Sequence, residues 1–600
     1  MITSKKTLSL YQLYAYKTNC MKRLALVISI MLSFSTLTYS QLSGDGSPSN
    51  PYSGSITGHL TWASPSEIFA DNLTILSGGS LTISPGLHEG TFLNMVGGDL
   101  TIESGGSFTL NPNTAATILS ITNNGSLILE SNSNEAGVAS LIHDGYSGSG
   151  TSQMKLYLSG GTTPGGVHIW HYISVPMNGI AATSFGSLDL AQYIESLATS
   201  TSNSEGWVAY DGYQYSSDSY LSNTFSTLEL GKGYNYYSAS GTTFTLSGQI
   251  NIGTVTKHLP CDAVSSYEGF NLLGNPFSSC IDWDYMYPHG YLRSVNNAIY
   301  FTLKDKVASY GSGIGSDGGT GFIPPLQGFF VQVNATNGRV IIPPGARTHQ
   351  FDQLRYKKAD ETSYISSDTI SYVRIKLENS VDSTDIVVRF NKKASIAFDP
   401  ALDAYEFSKT AGDINLWSIF NDIDYSINGL PFPESKIEIP LGINNVKTGI
   451  LILSASEIRL LDNYSVNLKD IKTNTTIDLK KGERFTFNAD AGITENRFIL
   501  SIANLTTDVP EIVIPEKKFK IYSSFGSINI VSLTDEYGSI PGSVTIYDLT
   551  GRKILQKNNL EWNGKGDLNQ IVMNSAEKGL FIIELKSGNK KHIEKVNISR

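Results

Sequence analysis

Apolar residues recur at every second position over short runs along most of the chain, and Gly, Ser, Thr and Asn separate these runs. Examples are VRIKL at 373–377, DIVVRF at 385–390 and RFILSI at 497–502. When apolar residues recur every two residues, alternate side chains lie on opposite faces of a half-buried sheet. Runs of Ala, Leu, Glu and Lys, which favour long helices, are scarce. The pattern predicts an all-β protein, and 600 residues are too many for one core, so several domains are expected.

Four segments within residues 41–155 repeat a turn followed by a short strand. They are GGSLTI at 78–83, GGDLTI at 97–102, GGSFTL at 105–110 and NGSLIL at 124–129, which begin 19, 8 and 19 residues apart. Short strands punctuated by Gly at this spacing predict a parallel β-solenoid of at most about four or five coils. Each coil would bury the apolar face of its neighbour. A β-sandwich with regular hairpins is the alternative interpretation.

The remainder divides by composition into further β modules. Residues 156–350 are rich in Trp and Gly, and residues 351–505 alternate apolar and polar positions as β-sandwich strands do. Residues 506–517 contain two Pro and are a predicted linker before a small module at 518–600. The predicted architecture is a short N-terminal β-solenoid, then β-sandwich-like modules, then a small C-terminal β-sandwich.

The apolar run LALVISIMLSF at 24–34 follows Lys22 and Arg23 and precedes small and polar residues. This order predicts a secretory signal peptide over residues 1–40, with Gln41 as the first mature residue, because the run is too short to span a membrane. Residues 1–20 are polar, so Met21 fits better as the natural start. No other apolar run reaches spanning length, so the mature chain is expected to be exported without a transmembrane segment.

The C-terminal segment carries VTIYDLTGRKI at 544–554, KGLFIIELKSG at 578–588 and KVNISR at 595–600. These motifs resemble the C-terminal sorting domain of type IX secretion cargo from Bacteroidetes, over roughly residues 518–600. The resemblance implies that the type IX secretion machinery is a partner and that the protein is exported through the periplasm to the cell surface or the medium. An unrelated small sandwich is the alternative. The residues that match the motif are Tyr547, Asp548, Gly551, Arg552, Gly579, Phe581 and Lys595.

The middle of the chain also has recognisable marks. GKGYNYY at 231–237, FNLLGNPFSSCIDWD at 270–284 and IPPLQGFFVQV at 323–333 resemble a module that recurs in large surface proteins of Bacteroidetes. No activity follows from this resemblance. Gly-Asn-Pro is a turn sequence, and Gln327-Gly328 before two Phe residues indicates a close backbone approach followed by a core strand. We interpret these marks as architectural, with a binding role as the alternative.

The candidate chemistry is sparse. Net charge is −10, and no stretch has the concentrated positive charge that nucleic-acid binding needs. His168 and His171 are three residues apart in a predicted strand and would face opposite sides, so they are not expected to form a metal pair. Asp282 and Asp284 could bind Ca²⁺ or cap a turn, and the cap is favoured. Asp317 is expected in a loop. No catalytic, metal or cofactor residues are therefore expected.

Residues 41–150 contain nine Asp and Glu but no Lys or Arg. Acid–base chemistry on a glycan needs an acid or base poised by neighbouring charge. Glu130 and Glu135 are the nearest thing to a pair, and both are expected to be solvated in a loop. This segment is therefore not expected to be a lyase or a hydrolase.

Cys261 and Cys280 lie in one module of a chain expected to be exported, and Cys20 would be lost with the signal peptide. Two cysteines in an oxidising compartment predict a disulfide, with two free thiols as the alternative.

Three functions remain open from the sequence. The first is a non-enzymatic surface protein for adhesion or for contact with glycans, since Tyr, Asn and Thr on flat sheets suit stacking and hydrogen bonding to sugars. The second is a carbohydrate-binding or carbohydrate-degrading protein with its site in residues 156–350. The third is a structural spacer.

Overall fold

The computed structural model describes residues 40–598 apart from 65–66, 87–90, 133–136, 187–188, 199–205, 215, 263–267, 304–305, 351–368, 408, 506–518, 525–526, 534–540, 574–578 and 588–589. The regular elements in the described residues are overwhelmingly strands, as the alternating pattern predicts. Their α-helix is α1, Trp283–Met286, and one-turn 3-10 helices cover Ala182–Phe185, Glu195–Leu197, Pro344–Ala346 and Leu479–Lys481. The chain forms two compact units, Met1–Asn504 and Leu505–Arg600. The signal peptide up to residue 39 and the linker at 506–517 are predictions that lie outside the described residues.

The N-terminal strands form a β-solenoid of about three turns. One sheet has the order β1-β2-β4-β6-β8-β10, and the other contains β11-β9-β7-β5-β3. Pairing is parallel throughout except at β1, which runs antiparallel to β2. The strands are β1 Ser40–Ser43, β2 Tyr52–Ile56, β3 His59–Ser64, β4 Glu67–Ile75, β5 Ser80–Pro85, β6 Phe92–Ile102, β7 Ser107–Leu110, β8 Ala115–Asn123, β9 Ser126–Leu129, β10 Ser140–Ser147 and β11 Thr151–Leu158.

Three of the four predicted repeats stack directly on one another. Leu81 pairs with Phe108, and Phe108 pairs with Leu127, across β5, β7 and β9. The GGDLTI repeat forms the end of β6 in the opposite sheet, so the eight-residue step is the passage from one sheet to the other. The parallel register confirms the solenoid and excludes the hairpin alternative.

The glycines of the repeats lie where the backbones of successive coils touch. A Cβ on Gly125 would lie 2.3 Å from the carbonyl oxygen of Gly106 and 2.4 Å from that of Glu103. A Cβ on Gly106 would lie 2.8 Å from the carbonyl oxygen of Ile75. Glycine recurs at these corners because the coils approach too closely for a side chain.

Residues 170–348 continue from the solenoid without a break in the core. Strand β18 pairs antiparallel with β11, and one hydrophobic cluster runs from Ile56 in the solenoid to Leu326. The larger sheets have the orders β12-β17-β13-β14-β15-β16 and β20-β27-β23-β24-β25, beside the smaller sheets β19-β28-β22 and β26-β21-β29. The strands are β12 Trp170–Ile173, β13 Leu190–Tyr193, β14 Trp207–Ala209, β15 Tyr213–Gln214, β16 Ser219–Tyr220, β17 Tyr234–Tyr237, β18 Thr242–Ser247, β19 Val255–Leu259, β20 Phe270–Gly274, β21 Cys280–Asp282, β22 Leu292–Arg293, β23 Val295–Leu303, β24 Lys306–Gly311, β25 Ile314–Ser316, β26 Phe322–Ile323, β27 Gly328–Val333, β28 Gly338–Ile342 and β29 Arg347–Thr348.

Residues 371–504 form one eleven-stranded sheet that curls into a near-barrel. Its order is β38-β37-β40-β35-β33-β34-β31-β30-β36-β39, with β32 paired to β34, and β31 runs parallel to β34. Curling brings Phe487 of β39 to 4.6 Å from Phe498 of β40, ring centre to ring centre, and closes a single core. The strands are β30 Ser371–Glu378, β31 Ser383–Phe390, β32 Ala404–Tyr405, β33 Ile414–Phe420, β34 Ile423–Leu430, β35 Lys436–Asn445, β36 Gly449–Arg459, β37 Tyr464–Asp470, β38 Thr475–Asp478, β39 Phe485–Ala489 and β40 Gly492–Asn504.

The C-terminal unit is a small two-sheet β module around the buried Trp562. One sheet has the order β41-β42-β45 and the other β44-β43-β46-β47. The alternating residues Val544, Ile546, Ile583 and Leu585 all point into the core. The strands are β41 Phe519–Ser524, β42 Ser527–Ser532, β43 Gly542–Tyr547, β44 Lys553–Leu560, β45 Leu568–Val572, β46 Gly579–Ser587 and β47 Lys590–Ile598.

Candidate functional site

The turn between β43 and β44 gathers three of the predicted motif residues. The Oδ1 atom of Asp548 accepts hydrogen bonds from the amides of Thr550 and Arg552 at 3.0 Å, and Oδ2 accepts from Nε of Arg552 at 3.0 Å. The Thr550 hydroxyl also donates to Oδ1 at 2.6 Å. Gly551 has φ of 83°, a left-handed conformation that glycine adopts without strain. The hydrogen bonds from Thr550 and Arg552 lower the pKa of Asp548 to about 2.

The other motif residues lie on the strands, and the pairing register divides them between two faces. Tyr547 pairs with Ile582, and Ile582 pairs with Lys595. Phe581 is 6% exposed and packs in the core on the opposite face. Gly579 starts β46 with φ of 120°. The structure therefore brings Tyr547 and Lys595, which are 48 positions apart in the sequence, into one cross-strand row.

Lysines dominate the face that carries this row. Glu584, on β46, accepts ion pairs from Lys586 at 2.9 Å and from Lys591 at 2.7 Å. Hydrogen bonds from these two lysines lower the pKa of Glu584. The negative charge of Glu584 is thus neutralised by lysines on the same face of the sheet.

We call the unit Met1–Asn504 the passenger and its residues 170–348 the middle module. The segment after β28 connects the middle module to the solenoid through hydrogen bonds. Arg347 donates to the carbonyl oxygen of His143 and to Asp144 Oδ1, each at 2.7 Å. The His349 ring makes hydrogen bonds to the hydroxyls of Thr117, at 3.0 Å, and Ser140, at 2.7 Å. Burial lowers the pKa of His349 to about 4, so the ring is neutral at pH 7. This segment has a structural role.

Asp282 and Asp284, the pair that could bind Ca²⁺ or cap a turn, both accept hydrogen bonds from within the protein. Asp282 caps α1 by accepting from the amides of Asp284 at 3.0 Å and Tyr285 at 3.3 Å, as the cap interpretation predicted. Asp284 accepts from the hydroxyl of Tyr310. Among the described residues, no group of three or more His, Cys, Asp and Glu side chains could hold a metal ion.

Glu130 lies in the loop just after β9, as expected, but it is only partly exposed and has a cationic partner, which corrects the expectation of a purely solvated acid. It forms an ion pair of 2.7 Å with Lys155 on the next coil. Glu135 lies outside the described residues. The segment 41–150 lacks cations of its own, but Lys155 and Arg347 supply them from later in the chain.

Asp317 lies in the turn after β25, as expected, but it is only partly exposed and its carboxylate has partners inside the protein. It accepts from the Thr384 hydroxyl at 2.9 Å and from the amide of Asp385 at 3.1 Å, across the joint between β25 and β31. Beside it, Asp385 pairs with the buried Arg374 at 2.7 Å. Burial raises the pKa of Asp317 to about 7. No sequence pattern marks this network.

A second acid, which is buried, lies at the same joint. Asp403 accepts from the amides of Gly429, at 2.5 Å, and Asp399, at 2.6 Å. Its positive neighbour Arg389 donates to the carbonyl oxygens of Gly311, at 3.2 Å, and Ser312, at 3.1 Å, in the middle module. Burial raises the pKa of Asp403 to about 7. Asp317 and Asp403 thus both accept hydrogen bonds from donors within the protein.

The predicted disulfide is absent from the structure, and both cysteines are free thiols. Cys280 is buried in β21, and burial raises the pKa of its thiol to about 12. The Cys261 thiol lies 3.6 Å from the carbonyl oxygen of Val333 and 3.8 Å from Glu268. Sequence separation could not reveal this arrangement because Cys280 is fixed by its strand neighbours in β29 while Cys261 packs against the end of β27.

An exposed aromatic cluster lies at the edge strand β12. Trp170 is 36% exposed, and its ring centre lies 5.2 Å from that of Tyr237 on β17. The exposed ring of His168 meets Tyr237 edge-on at 4.8 Å. His171, by contrast, is buried and bonds through Nε2 to the carbonyl oxygen of Ser159 at 2.6 Å. The two histidines are thus separated, as the sequence predicts, and His168 joins aromatic rings.

A second set of rings projects after α1. Tyr285 and His289 stack at 4.4 Å with 22° between their planes, and Tyr285 lies 6.1 Å from Tyr291 at 21°. Tyr287 beside them is 40% exposed. The sequence shows these aromatics, but only the turn that Asp282 caps places their planes nearly parallel.

Comparison with solved structures yields nine matching chains. One of them is the beta-glucuronidase of Ruminococcus gnavus, at 14% sequence identity and a TM-score of 0.11, over 25% of this chain and 35% of that chain. The chain thus spans about a third of that structure's length. A likeness this small carries no argument about fold or activity. No curated protein matches the chain.

Family models match nearly the whole chain after residue 61. Residues 524–599 match the secretion system C-terminal sorting domain, which confirms the resemblance and makes the protein a type IX secretion cargo delivered to the cell surface or beyond. Among the described residues, no helix is both long and apolar enough to cross a membrane. The other match covers the solenoid, the middle module and the near-barrel together. Over residues 62–502 the chain belongs to the family described as a domain of unknown function, DUF8693.

Proposed function

We propose that the passenger is a non-enzymatic surface protein that contacts glycans, and that Trp170, Tyr237 and His168 form its sugar-binding platform. The observation that carries the proposal is this exposed aromatic cluster on an edge strand. Aromatic faces stack on the apolar faces of sugar rings, and Trp provides the largest such face. We name these three residues the aromatic platform.

The surroundings of the aromatic platform favour a neutral ligand. Residues 156–188 and 233–256, which supply the platform and its flanks, contain no Asp, Glu, Lys or Arg of their own. Two charged side chains of the near-barrel reach residues 163–165 but are bonded there: Asp413 accepts from the Thr163 hydroxyl and the Gly165 amide, and Lys447 donates to the carbonyl oxygen of Pro164. Ser and Thr are frequent in both segments and offer hydroxyl groups for hydrogen bonds to sugars. We therefore expect uncharged polysaccharides rather than uronates or sulfated glycans.

The bonding of the acids with raised pKa speaks against glycan cleavage at the platform. Hydrolysis of a glycosidic bond ordinarily uses two carboxyl groups at roughly 5–10 Å across the sugar. The acids Asp317 and Asp403, whose pKa values are raised, are bonded to backbone amides at the joint between modules. A degrading enzyme is therefore the second candidate, and a spacer the third.

The test is a glycan array and a whole-cell adhesion assay with the full-length secreted protein. We expect the W170A/Y237A variant to lose about tenfold or more in affinity, since each stacked ring contributes on the order of 1 kcal/mol. Tyr220, 69% exposed on β16 of the same sheet, provides the matched control Y220A, which should bind as the parent does.

Three outcomes separate the candidates. Binding that W170A/Y237A abolishes, without cleavage of the glycan, supports the proposal. Turnover of a bound glycan would replace it with the degrading enzyme. Absence of binding in both assays would favour the spacer and contradict glycan contact.

A further inference from the structure

The pairing register of the sorting domain places four residues in one line across its four-stranded sheet. Tyr547 pairs with Ile582, and Ile582 pairs with Lys595 on β47. Lys553 on β44 pairs with Tyr547 beyond a register shift between Ile546 and Tyr547, and its Nζ donates to Oε1 of the exposed Gln556 at 3.1 Å. Neighbouring strands lie about 4.8 Å apart, so the line is about 14 Å long. We name it the outward row.

The outward row projects away from the core. The neighbours Ile546, Phe581 and Val596 are buried on the other face of the sheet. Because side chains alternate along a strand, Tyr547, Ile582 and Lys595 must point outward. Lys553 and Lys595 are exposed at the two ends, and the two apolar groups between them are partly exposed.

Positive charge and apolar surface occur together on this face. Lys586 and Lys591 lie on the same face two rows away, and their acid partner Glu584 is held between them. Ile593, which pairs with Glu584, is 55% exposed. The face thus presents four lysines and one glutamate that two of them neutralise, around the exposed Ile593 and the partly exposed Tyr547 and Ile582.

Protection of sheet edges explains only part of this pattern. Lysines on the edge strands β44 and β47 discourage the addition of another strand. Tyr547, Ile582 and Lys586 lie on the inner strands β43 and β46, where no edge needs protection. A partner would therefore meet the side chains of the face rather than extend the sheet.

We propose that the outward row is the surface by which the type IX secretion machinery recognises this cargo. The complementary surface would be apolar at its centre and acidic at both ends, about 14 Å apart. Two observations support the secretion machinery as the partner. Residues 524–599 match the sorting domain, and the outward row contains Tyr547 and Lys595 from separate segments of the sorting motif. The inference rests on the sorting assignment and is independent of glycan contact.

The experiment expresses the full-length chain in a Bacteroidetes host with type IX secretion and measures its distribution between periplasm, cell surface and medium. We expect K553E/K595E to lower export about tenfold or more, because like charges would face each other at both ends of the row. The variant K553R/K595R keeps both charges and should be exported as the parent is.

The matched control is K520E/K565E, which makes the same change of charge in the same domain. Lys520 lies on the outer face of β41 in the other sheet, and Lys565 lies in the turn before β45, both exposed. This control should be exported normally. Amide hydrogen exchange of residues 542–560 should be equal in all variants, which verifies that the domain is folded.

Two results would overturn the proposal. One is export of K553E/K595E at the parental level. The other is binding of the purified full-length protein to phosphatidylglycerol vesicles, but not to phosphatidylcholine vesicles, that K553E/K595E loses. The face would then recognise anionic lipid instead of a protein of the machinery.

Discussion

At the residue scale, two aspartates of this chain have pKa values shifted in opposite directions. Asp548 receives donors from residues two and four positions away, and its pKa falls to about 2. Asp403 is buried at the joint between modules, and its pKa rises to about 7. A lowered pKa adds stability above the ordinary pKa, whereas a raised pKa removes stability as the pH increases.

We expect D548A to release the turn between β43 and β44, because four hydrogen bonds to one carboxylate are lost. Hydrogen exchange should show faster exchange of the Thr550 and Arg552 amides. In the parent, the contribution of Asp548 should persist above pH 3.8 and disappear as the pH falls through about 2. Unchanged amide protection in D548A would contradict this account, and T550S, which keeps the hydroxyl, is the control.

We expect D403N to flatten the pH dependence of the free energy of unfolding. The folded-state pKa of about 7 lies above the ordinary 3.8, so this acid costs stability progressively between those two pH values. One proton contributes a slope of at most about 1.4 kcal/mol per pH unit. Denaturant midpoints from pH 4 to pH 8 measure the slope, and D490N, at an exposed aspartate, should leave it unchanged.

At the element scale, contacts between successive coils of the solenoid leave no room for a side chain at certain glycine positions. Gly125 and Gly106 touch backbone of the preceding coil, while Gly97, on the surface of β6, faces open space. The apolar positions Leu81, Phe108 and Leu127 stack directly above one another, so the coils cannot slide apart without losing core contacts.

We expect G125A to destabilise the passenger by about 1–3 kcal/mol, because its methyl group would overlap two carbonyl oxygens and push the coils apart. Urea denaturation of the secreted full-length protein measures the loss. G97A is the matched control and should be neutral or slightly stabilising, since its methyl group meets nothing within 4 Å. Equal midpoints for the two variants would show that the corners are not tightly packed.

At the scale of the whole molecule, the passenger and the sorting domain are separate compact units, and the two family matches fall on either side of the boundary. The passenger core runs from the solenoid into the middle module, and the near-barrel joins it through the buried charges around Arg374. We therefore expect the passenger to fold without the sorting domain.

We expect deletion of residues 518–600 to leave a folded passenger in the periplasm, because the sorting domain directs export across the outer membrane. Immunoblots of periplasm, surface and medium measure its location, and circular dichroism of the purified truncated protein checks its fold. Arrival of the truncated protein at the cell surface would show that export has another determinant.

The sequence by itself determined the all-β class, the solenoid, the export route and the sorting motif. Each of these depends on local information: period-two alternation, glycine at recurrent corners, and donors within four residues of Asp548. Only the tertiary structure decided the near-barrel, the free thiols, the partners of Asp317, and the outward row. These depend on which distant strands pair and in which register, and a register shift of one residue would turn Lys595 inward. The alternating pattern fixes which side chains share a face of a strand, but packing between strands chooses their neighbours.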